Sequence, residues 1–298
     1  MIRALMARPF LLLCLTALAW AGNTIAGRLA VGEVSPMALT TLRWVISFLL
    51  MSLFVRADVA RALPLFRARP LYLLVMGFIG FTGFNAIYYI AAHHTSAVNL
   101  GIMQASTPLF VMAGAVLLGQ SRISAGQLAG LVAGTLGVVI VVSTGRLDVL
   151  RQLNFNIGDL MLIFISAMYA AYSLGLKHRP AGASGLSFFA AMALVAALTS
   201  LPLLAAEAAT GHLKWPTPKG WAIIAYVAVF PSLLAQVWYI RAIEAIGAAR
   251  AGFIFNVIPI FAALLAVALL GEPLGWHHAV GLALVLGGIA VAERYRTA

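Results

Sequence analysis

A succession of apolar runs, each about 20 residues long, constrains this chain more than any other feature. A run of that length is what an α-helix needs to cross the hydrocarbon core of a bilayer. Ten runs can be counted, near 9–29, 36–55, 70–91, 96–118, 125–144, 158–177, 185–205, 220–243, 249–270 and 276–293. The connections between them are too short to fold alone. The sequence therefore predicts an all-α integral membrane protein with ten transmembrane helices, and a function that lies within the membrane.

The share of charged residues excludes a soluble fold. Only 9% of the 298 residues are charged and 63% are hydrophobic, whereas a soluble domain carries about 25% charged residues. The formal charge of +11 is that of many nucleic-acid-binding proteins, but the sequence has no basic stripe with interleaved aromatic residues. No nucleic-acid partner is therefore expected, and the predicted surroundings of the chain are the lipid bilayer.

Lysine and arginine are divided unevenly between the two sets of connections. With the N-terminus inside, the inner loops and tails hold 13 of them and the outer loops hold 5, while Arg43 lies within the second run. Cytoplasmic loops carry the excess of positive charge in membrane proteins. Both termini are therefore predicted to be cytoplasmic.

The two halves of the chain repeat one another at an offset of 151 residues. "GIMQASTPLF" at 101–110 matches "GFIFNVIPIF" at 252–261, and "NAIYYIAA" at 85–92 matches "QVWYIRAI" at 236–243. The first run also has a partner in the sixth, which argues against its being a cleaved signal peptide.

Each half holds five runs, and five is an odd number. The second half must therefore enter the membrane from the opposite side. The sequence predicts two inverted five-helix repeats, 1–147 and 148–298. Inverted repeats are typical of secondary transporters, which bind their substrate near the membrane midplane at the repeat interface.

Two prolines lie near the middle of matching runs. Pro108 and Pro259 have no backbone N–H, so each interrupts the hydrogen-bond ladder of its helix. We predict kinks there, and a helix hinge formed by both prolines together with Gly101 and Gly252. The alternative is that small residues and prolines in these helices serve packing only.

Amide and aromatic side chains recur at matching positions of the two halves. Asn85 and Tyr88 are three residues apart and share a helix face, and Gln236 and Tyr239 repeat the pair. The candidate cavity residues are Trp20, Asn23, Phe84, Asn85, Tyr88, Gln104, Tyr169, Tyr172, Phe230, Gln236, Trp238, Tyr239 and Asn256. Such a lining suits a small amphipathic substrate, whose ammonium group aromatic rings can hold by cation–π contact.

Charge within the runs is sparse. All eight acidic residues lie at or near loops, which argues against strongly cationic substrates and against proton coupling through a carboxylate. Arg43 is the one clear intramembrane charge. It can extend outward, brace the fold or bind a carboxylate, and the sequence leaves these roles open.

The remaining motifs point away from catalysis. No HExxH, GxSxG or buried acid pair lies in the runs, so an enzyme is not expected. The adjacent pairs His93–His94 and His277–His278 do not by themselves form a metal site, and no cofactor is predicted. A stripe of glycines at 126, 130 and 134 predicts close helix packing, either within the chain or in a homodimer.

The end of the chain, "LLGEPLGWHHAVGLALVLGGIAV", and the central prolines of runs four and nine resemble the EamA branch of the drug/metabolite transporter superfamily. "LGEPL" at 270–274 is the most specific part. The first half departs from it, because "LGQSRI" at 118–123 lacks the acid and the proline.

The resemblance implies that spans 1, 3, 4, 6, 8 and 9 line a central cavity while spans 5 and 10 lie at the periphery. It also implies export of aromatic and other neutral amino acids, or similar small metabolites, across a bacterial inner membrane. The alternative within the same superfamily is a multidrug, quaternary-ammonium or other metabolite exporter.

Overall fold

The computed structural model describes residues 8–119, 124–146, 155–246 and 254–295. Their regular secondary structure is entirely helical. The helices are α1 (Pro9–Leu29), α2 (Pro36–Arg67), α3 (Pro70–Ala91), α4 (Ala97–Leu117), α5 (Ala125–Val142), α6 (Ile157–Gly175), α7 (Gly185–Ala209), α8 (Pro218–Ile246), α9 (Ile254–Leu270) and α10 (Trp276–Arg294). Within the described ranges, nine helices are long and apolar enough to cross a membrane, and α9 contains a shorter apolar segment. The predicted class, an all-α membrane protein, is confirmed.

Proline and hydroxyl side chains set where several helices begin. Pro36 and Pro218 occupy the first turns of α2 and α8, where a missing N–H costs nothing. Thr217 caps α8, and Ser124 forms a reciprocal capping box with Gln127 at the start of α5. The connection expected at 56–69 is largely helical, because α2 continues to Arg67.

Helices α3 and α8 each contain a π-helical segment, at Phe78–Thr82 and Ala228–Leu234. The two segments coincide under the 151-residue offset. A π turn inserts one extra residue and rotates the helix face that follows it. In α8 it also frees backbone carbonyl groups, and these are bonded by side chains of other helices. Ser47 Oγ donates to the Ala228 carbonyl at 3.0 Å, and Trp20 Nε1 donates to the Pro231 carbonyl at 3.0 Å.

The two predicted proline kinks differ in the structure. Helix α4 is interrupted just before Pro108, where the N–H groups of Ala105 and Ser106 bond carbonyls only three residues back, at 3.0 and 3.1 Å. Helix α9 instead continues from Ile254 to Leu270 through Pro259 without an interruption. The break is thus present in the first half and not in the second.

Several contacts between helices correspond when the two halves of the chain are exchanged. Helix α1 packs on α8 and α9, as α6 packs on α3 and α4. Helix α2 packs on α7, α5 on α10, and α4 on α9. Each of these last pairs joins equivalent helices of the two halves. The core therefore lies between the halves rather than within each of them.

The glycine stripe of α5 packs within the chain. A Cβ atom placed on Gly130 would lie 2.4 Å from the carbonyl oxygen of Gly288 on α10, and one on Gly137 would lie 2.6 Å from that of Gly281. The backbones of α5 and α10 are thus in direct contact, as small residues permit. Close packing of this stripe within the chain is confirmed. A homodimer stays a prediction, and it would have to use a surface other than this stripe.

Connections between the helices meet at one end of the bundle. Ser35 N donates to the Lys214 carbonyl at 3.0 Å, which joins the α1–α2 and α7–α8 connections. Asn156 Nδ2 donates to the His94 carbonyl at 2.7 Å, which joins the α3–α4 connection to the start of α6. We call this end, with residues 30–35, 92–96, 210–217 and 271–275, the closed end.

Candidate substrate cavity

A cavity of about 680 Å³ lies between the two halves. The structure brings together nine of the predicted cavity residues: Trp20, Asn23, Phe84, Asn85, Gln104, Tyr169, Tyr172, Gln236 and Tyr239. The two predicted hinge prolines, Pro108 and Pro259, also line the cavity. All six helices expected from the resemblance contribute, together with Arg43 and Trp44 of α2 and a few residues of α5 and α10. The cavity extends to Ala115, Leu176 and Glu293, at helix ends opposite the closed end; we call this the open end.

Three predicted lining residues lie elsewhere. Phe230 is 44% exposed and stacks on Tyr226 at 5.3 Å, and Trp238 is half-buried but not part of the lining. Tyr88 is fully buried between α1 and α3, where its hydroxyl donates to Thr24 Oγ1 at 3.1 Å. The hydrogen bond to Thr24 holds Tyr88 in the contact between α1 and α3. Trp238 lies about 100° around the helix from its neighbour Tyr239, which does line the cavity.

The remaining predicted residues are the hinge glycines Gly101 and Gly252 and the cavity candidate Asn256. Gly101 lies inside a regular helical turn, and a Cβ there would lie 2.4 Å from Ala262 Cβ, so it allows α4 and α9 to approach closely. Gly252 and the side chain of Asn256 lie outside the described residues. Close packing of α4 on α9 thus accounts for the glycine that the repeat pattern singled out.

Arg43 is the centre of the polar network in the cavity. It is only 5% exposed and lies seven residues into α2, about 10 Å along the helix from its start at the closed end. Its Nε donates to Ser232 Oγ at 2.5 Å. Its Nη1 lies 2.6 Å from Asn85 Oδ1, 2.5 Å from Tyr89 Oη and 3.2 Å from Asn23 Oδ1. Arg43 therefore links α2 to α1, α3 and α8.

Sequence reasoning found part of this network and missed the rest. The sequence predicts Asn23 and Asn85 as cavity residues, whereas it does not predict Tyr89 or Ser232. Tyr89 is four residues after Asn85, a spacing that also places two side chains on one helix face. The repeat pattern instead predicts Tyr88 as a cavity residue, because the matching position in the second half, 239, is also a tyrosine. Ser232 has no signal in the sequence, since its position depends on the π segment.

Aromatic rings form the walls of the cavity. Trp20 and Tyr239 meet edge to face with ring centroids 5.5 Å apart, on the side of α1 and α8. Phe84, Tyr169 and Tyr172 form a second group, with centroid distances of 5.4 and 5.3 Å. Rings in such arrangements present both apolar surface and π faces that attract cations.

The charge in the lining is minimal. Among the described residues that line the cavity, only Arg43 and Glu293 are charged, and Glu293 belongs to the last turn of α10 at the open end. The other polar groups in the lining are amides, hydroxyls and phenols. The cavity can therefore bind a ligand that carries little net charge.

A second polar network lies under the closed end. The carboxylate of Asp159, 2% exposed, accepts from Thr95 Oγ1 at 2.6 Å and from Asn99 Nδ2 at 3.1 Å. Asn99 Oδ1 lies 3.1 Å from His278 Nε2, and His278 Nδ1 accepts from Gly275 N at 3.0 Å. Since Nδ1 accepts, Nε2 carries the proton and His278 is neutral. The network joins α4, α6 and α10.

Glu272, the acid of the "LGEPL" motif, caps helix α4. Its two carboxylate oxygens accept from the backbone N–H groups of Ala97 and Val98, both at 2.9 Å. A carboxylate at a helix N-terminus satisfies unpaired N–H groups and favours the helix dipole. The motif residue thus ties the α9–α10 connection to the first turn of α4.

We expect Glu272→Gln to lower the free energy of unfolding by about 1–2 kcal/mol, because a neutral amide replaces a charged cap that accepts two hydrogen bonds. Thermal unfolding of the purified protein in detergent measures the change. The matched control is Glu244→Gln, since Glu244 is exposed and forms an ion pair with Arg241 on the same helix. Equal effects of the two substitutions would contradict the capping role.

The carboxyl group of Glu33 joins two connections at the closed end. It accepts from Thr217 Oγ1 and pairs with Lys219 Nζ at 3.3 Å. The Thr217 hydrogen bond, followed by that of Lys219, lowers the pKa of Glu33 from its ordinary value of 4.5. A lowered pKa means that the stabilising effect is present above that value and is lost as the pH falls through the pKa of the folded state.

Glu33→Gln should therefore lower the melting temperature at pH 7 and have progressively less effect as the pH is lowered below 4.5. Melting curves of wild type and variant between pH 7 and pH 3 measure this. Thr217→Ser keeps the hydroxyl and serves as the control. A difference that does not change with pH would contradict the assignment.

The fold and the cavity together define a class of protein. A multi-pass helical membrane protein with a cavity between two halves, closed at one end, has the architecture of a membrane transporter. The chain belongs to the EamA-like transporter family, which matches residues 8–143 and 156–293.

Similar proteins carry only general names. The chain is 24% identical over 220 residues to the uncharacterized transporter YyaM of Bacillus subtilis (strain 168), which covers 74% of this chain and 72% of that protein. It is 26% identical to YetK of the same organism, covering 90% and 82%, and 26% identical to an uncharacterized transporter of Archaeoglobus fulgidus, covering 95% and 96%. A solved crystal structure has the same fold with a TM-score of 0.64, at 21% identity over 97% of this chain and 99% of that one.

Proposed function

We propose that this protein is a secondary transporter that exports aromatic and other neutral amino acids, or similar small amphipathic metabolites, across a bacterial inner membrane. The observation that carries the proposal is the lining of the cavity. Aromatic rings and uncharged polar groups surround it, and Arg43, the one cation among its described lining residues, lies toward the closed end. These groups can hold a small ligand that has an apolar part, an ammonium and a carboxylate.

The charges in the cavity argue against other cargoes. A phosphate-bearing substrate would need several basic residues, and the part of the lining that the structure describes supplies one. A quaternary ammonium compound would need a nearby acid, and the one acid among the described lining residues, Glu293, is at the open end. The aromatic walls nevertheless suit such a cation, so a quaternary-ammonium or multidrug exporter is the second candidate.

Alternating access between two inverted repeats is part of the proposal. The equivalent π segments, the matching helix contacts and the two matched segments of the family support it. The cavity reaches the open end and is shut off by hydrogen-bonded connections at the closed end. If the two halves exchange their slightly different conformations, the cavity opens on the opposite side.

The relatives support transport and say nothing of the cargo, since their names state only that they are transporters. The cargo assigned here comes from the cavity and from a resemblance of the sequence to the bacterial amino-acid exporter YddG. The predicted topology, with the termini in the cytoplasm, makes the open end the cytoplasmic one.

Counterflow in proteoliposomes tests the proposal. Vesicles with the purified protein are loaded with unlabelled amino acids and offered labelled Phe, Trp, Thr, Met, Glu and Lys in turn. We expect accumulation of the four neutral amino acids and exclusion of Glu and Lys, with protein-free vesicles as the blank. No accumulation by protein shown to be folded would move the cargo to quaternary ammonium compounds or other metabolites.

A further inference from the structure

Two neighbouring N–H donors of α2 have no acceptor in the described part of the chain. The hydrogen bonds of Arg43 use Nε and Nη1, and its Nη2 has none. Trp44 is 2% exposed, and its Nε1 is the one buried side-chain nitrogen or oxygen that lacks a partner among the described residues. Both residues line the cavity. Buried donors are almost always paired, so Trp44 Nε1 indicates a missing acceptor. Arg43 Nη2 is not among the buried unpaired atoms, and its donors are available to a ligand in the cavity.

The charge of Arg43 is also uncompensated. Its partners Asn23, Asn85, Tyr89 and Ser232 are all neutral, and no carboxylate lies within ion-pair distance of it in the described ranges. An unpaired cation this deep in a membrane protein is costly, and an anionic partner offsets that cost. The stacked ring of Trp44, 5.0 Å from the guanidinium carbon, fixes the group's position without neutralising it.

We infer that Arg43 is the anchor for a carboxylate of the substrate, bound through Nη2 with the indole N–H of Trp44 as the second donor. The inference rests on the proposed function and narrows it to substrates with a carboxylate, such as α-amino acids. Arginine is the residue best suited to this recognition, since it stays charged and presents several donors in one plane. Amines, amides and quaternary ammonium compounds without a carboxylate would be poor substrates.

The anchor and the structural role of Arg43 use different atoms. The bonds that link α1, α3 and α8 involve Nε and Nη1. Nη2 takes no part in these bonds, so its donors are available to a ligand. The location fits as well, because the carboxylate would lie toward the closed end while the rest of the substrate meets the rings of Trp20, Tyr169 and Tyr239.

The first test uses wild-type protein and four related compounds. Counterflow of labelled phenylalanine is competed with unlabelled phenylalanine, phenylalaninamide, 3-phenylpropionate and phenethylamine. Losing a charge-assisted hydrogen bond should weaken competition by phenylalaninamide and phenethylamine about 10- to 100-fold relative to phenylalanine. We expect 3-phenylpropionate to compete better than phenethylamine. Equal competition by phenylalanine and its amide would overturn the inference.

The second test changes the protein. Arg43→Gln should lose the discrimination between phenylalanine and its amide, and Arg43→Lys should keep part of it. The matched control is Ser232→Ala, which removes the Nε bond of Arg43 but leaves Nη2 and its charge in place, so it should keep the preference for the acid. An Arg43→Gln variant that keeps the wild-type preference would overturn the inference.

A binding measurement separates this inference from the proposed function. In detergent, 3-phenylpropionate should raise the melting temperature of the wild type, phenethylamine should not, and Arg43→Gln should abolish the difference. If the wild type transports no amino acid, the proposed function fails, yet this shift still supports a carboxylate anchor. No stabilisation by either 3-phenylpropionate or phenylalanine would overturn the anchor itself.

Discussion

Gly288→Ala is expected to lower the free energy of unfolding by about 1–3 kcal/mol, because the added methyl group meets backbone rather than a movable side chain. A Cβ atom on Gly288 would lie 2.5 Å from the carbonyl oxygen of Gly130 and 2.7 Å from the backbone nitrogen of Gly134. Neither atom can move unless the whole of α5 shifts away from α10. The packed contact between equivalent helices of the two halves would then be lost along much of its length.

Gly287 provides a matched control one residue away. A Cβ there would have no atom within 4 Å. Gly287→Ala should therefore be neutral, or stabilising by up to about 1 kcal/mol, since alanine favours a helix more than glycine does. Thermal unfolding in detergent, read by the loss of helical circular dichroism, compares the two variants. Equal melting temperatures for both would show that α5 and α10 do not pack as described.

Pro108→Ala is expected to slow counterflow about five- to tenfold while leaving the protein folded. Alanine restores an N–H that can bond the Gln104 carbonyl, and a hydrogen bond of about 1 kcal/mol would favour a straight α4 over the interrupted one. Pro108 lines the cavity at the point where α4 is broken. A helix that no longer bends there should change conformation more slowly.

Pro259→Ala should slow transport less, because α9 continues through that proline. The control is Pro64→Ala, at an exposed position in the extension of α2 and outside the cavity lining. Initial rates of counterflow with labelled phenylalanine measure all three variants. Wild-type rates for both cavity prolines would contradict the hinge, whereas a slow Pro64 variant would indicate a general effect of proline removal.

Two physical rules made much of the fold predictable. Apolar runs long enough to cross a bilayer show where most helices lie, and the bilayer leaves the backbone few alternatives to a helix. The repeat pattern then selected residues such as Asn23, Asn85 and Tyr239, which the structure places around one cavity. The "LGEPL" motif drew attention to Glu272 but did not indicate its role. The structure shows that Glu272 caps α4, a helix of the first half.

The sequence by itself determined the membrane class, the all-helical fold and the polar positions of the helices, because these follow from local patterns of apolar and polar residues. Only the tertiary structure decided which polar groups meet. The contact between α1 and α3 buried Tyr88 away from the cavity, and the π segment of α8 placed Ser232 beside Arg43. The glycine stripe of α5 packs on α10 of the same chain. Such contacts join residues far apart in the chain, and a change of one residue in helical register reassigns them. No local pattern records that register.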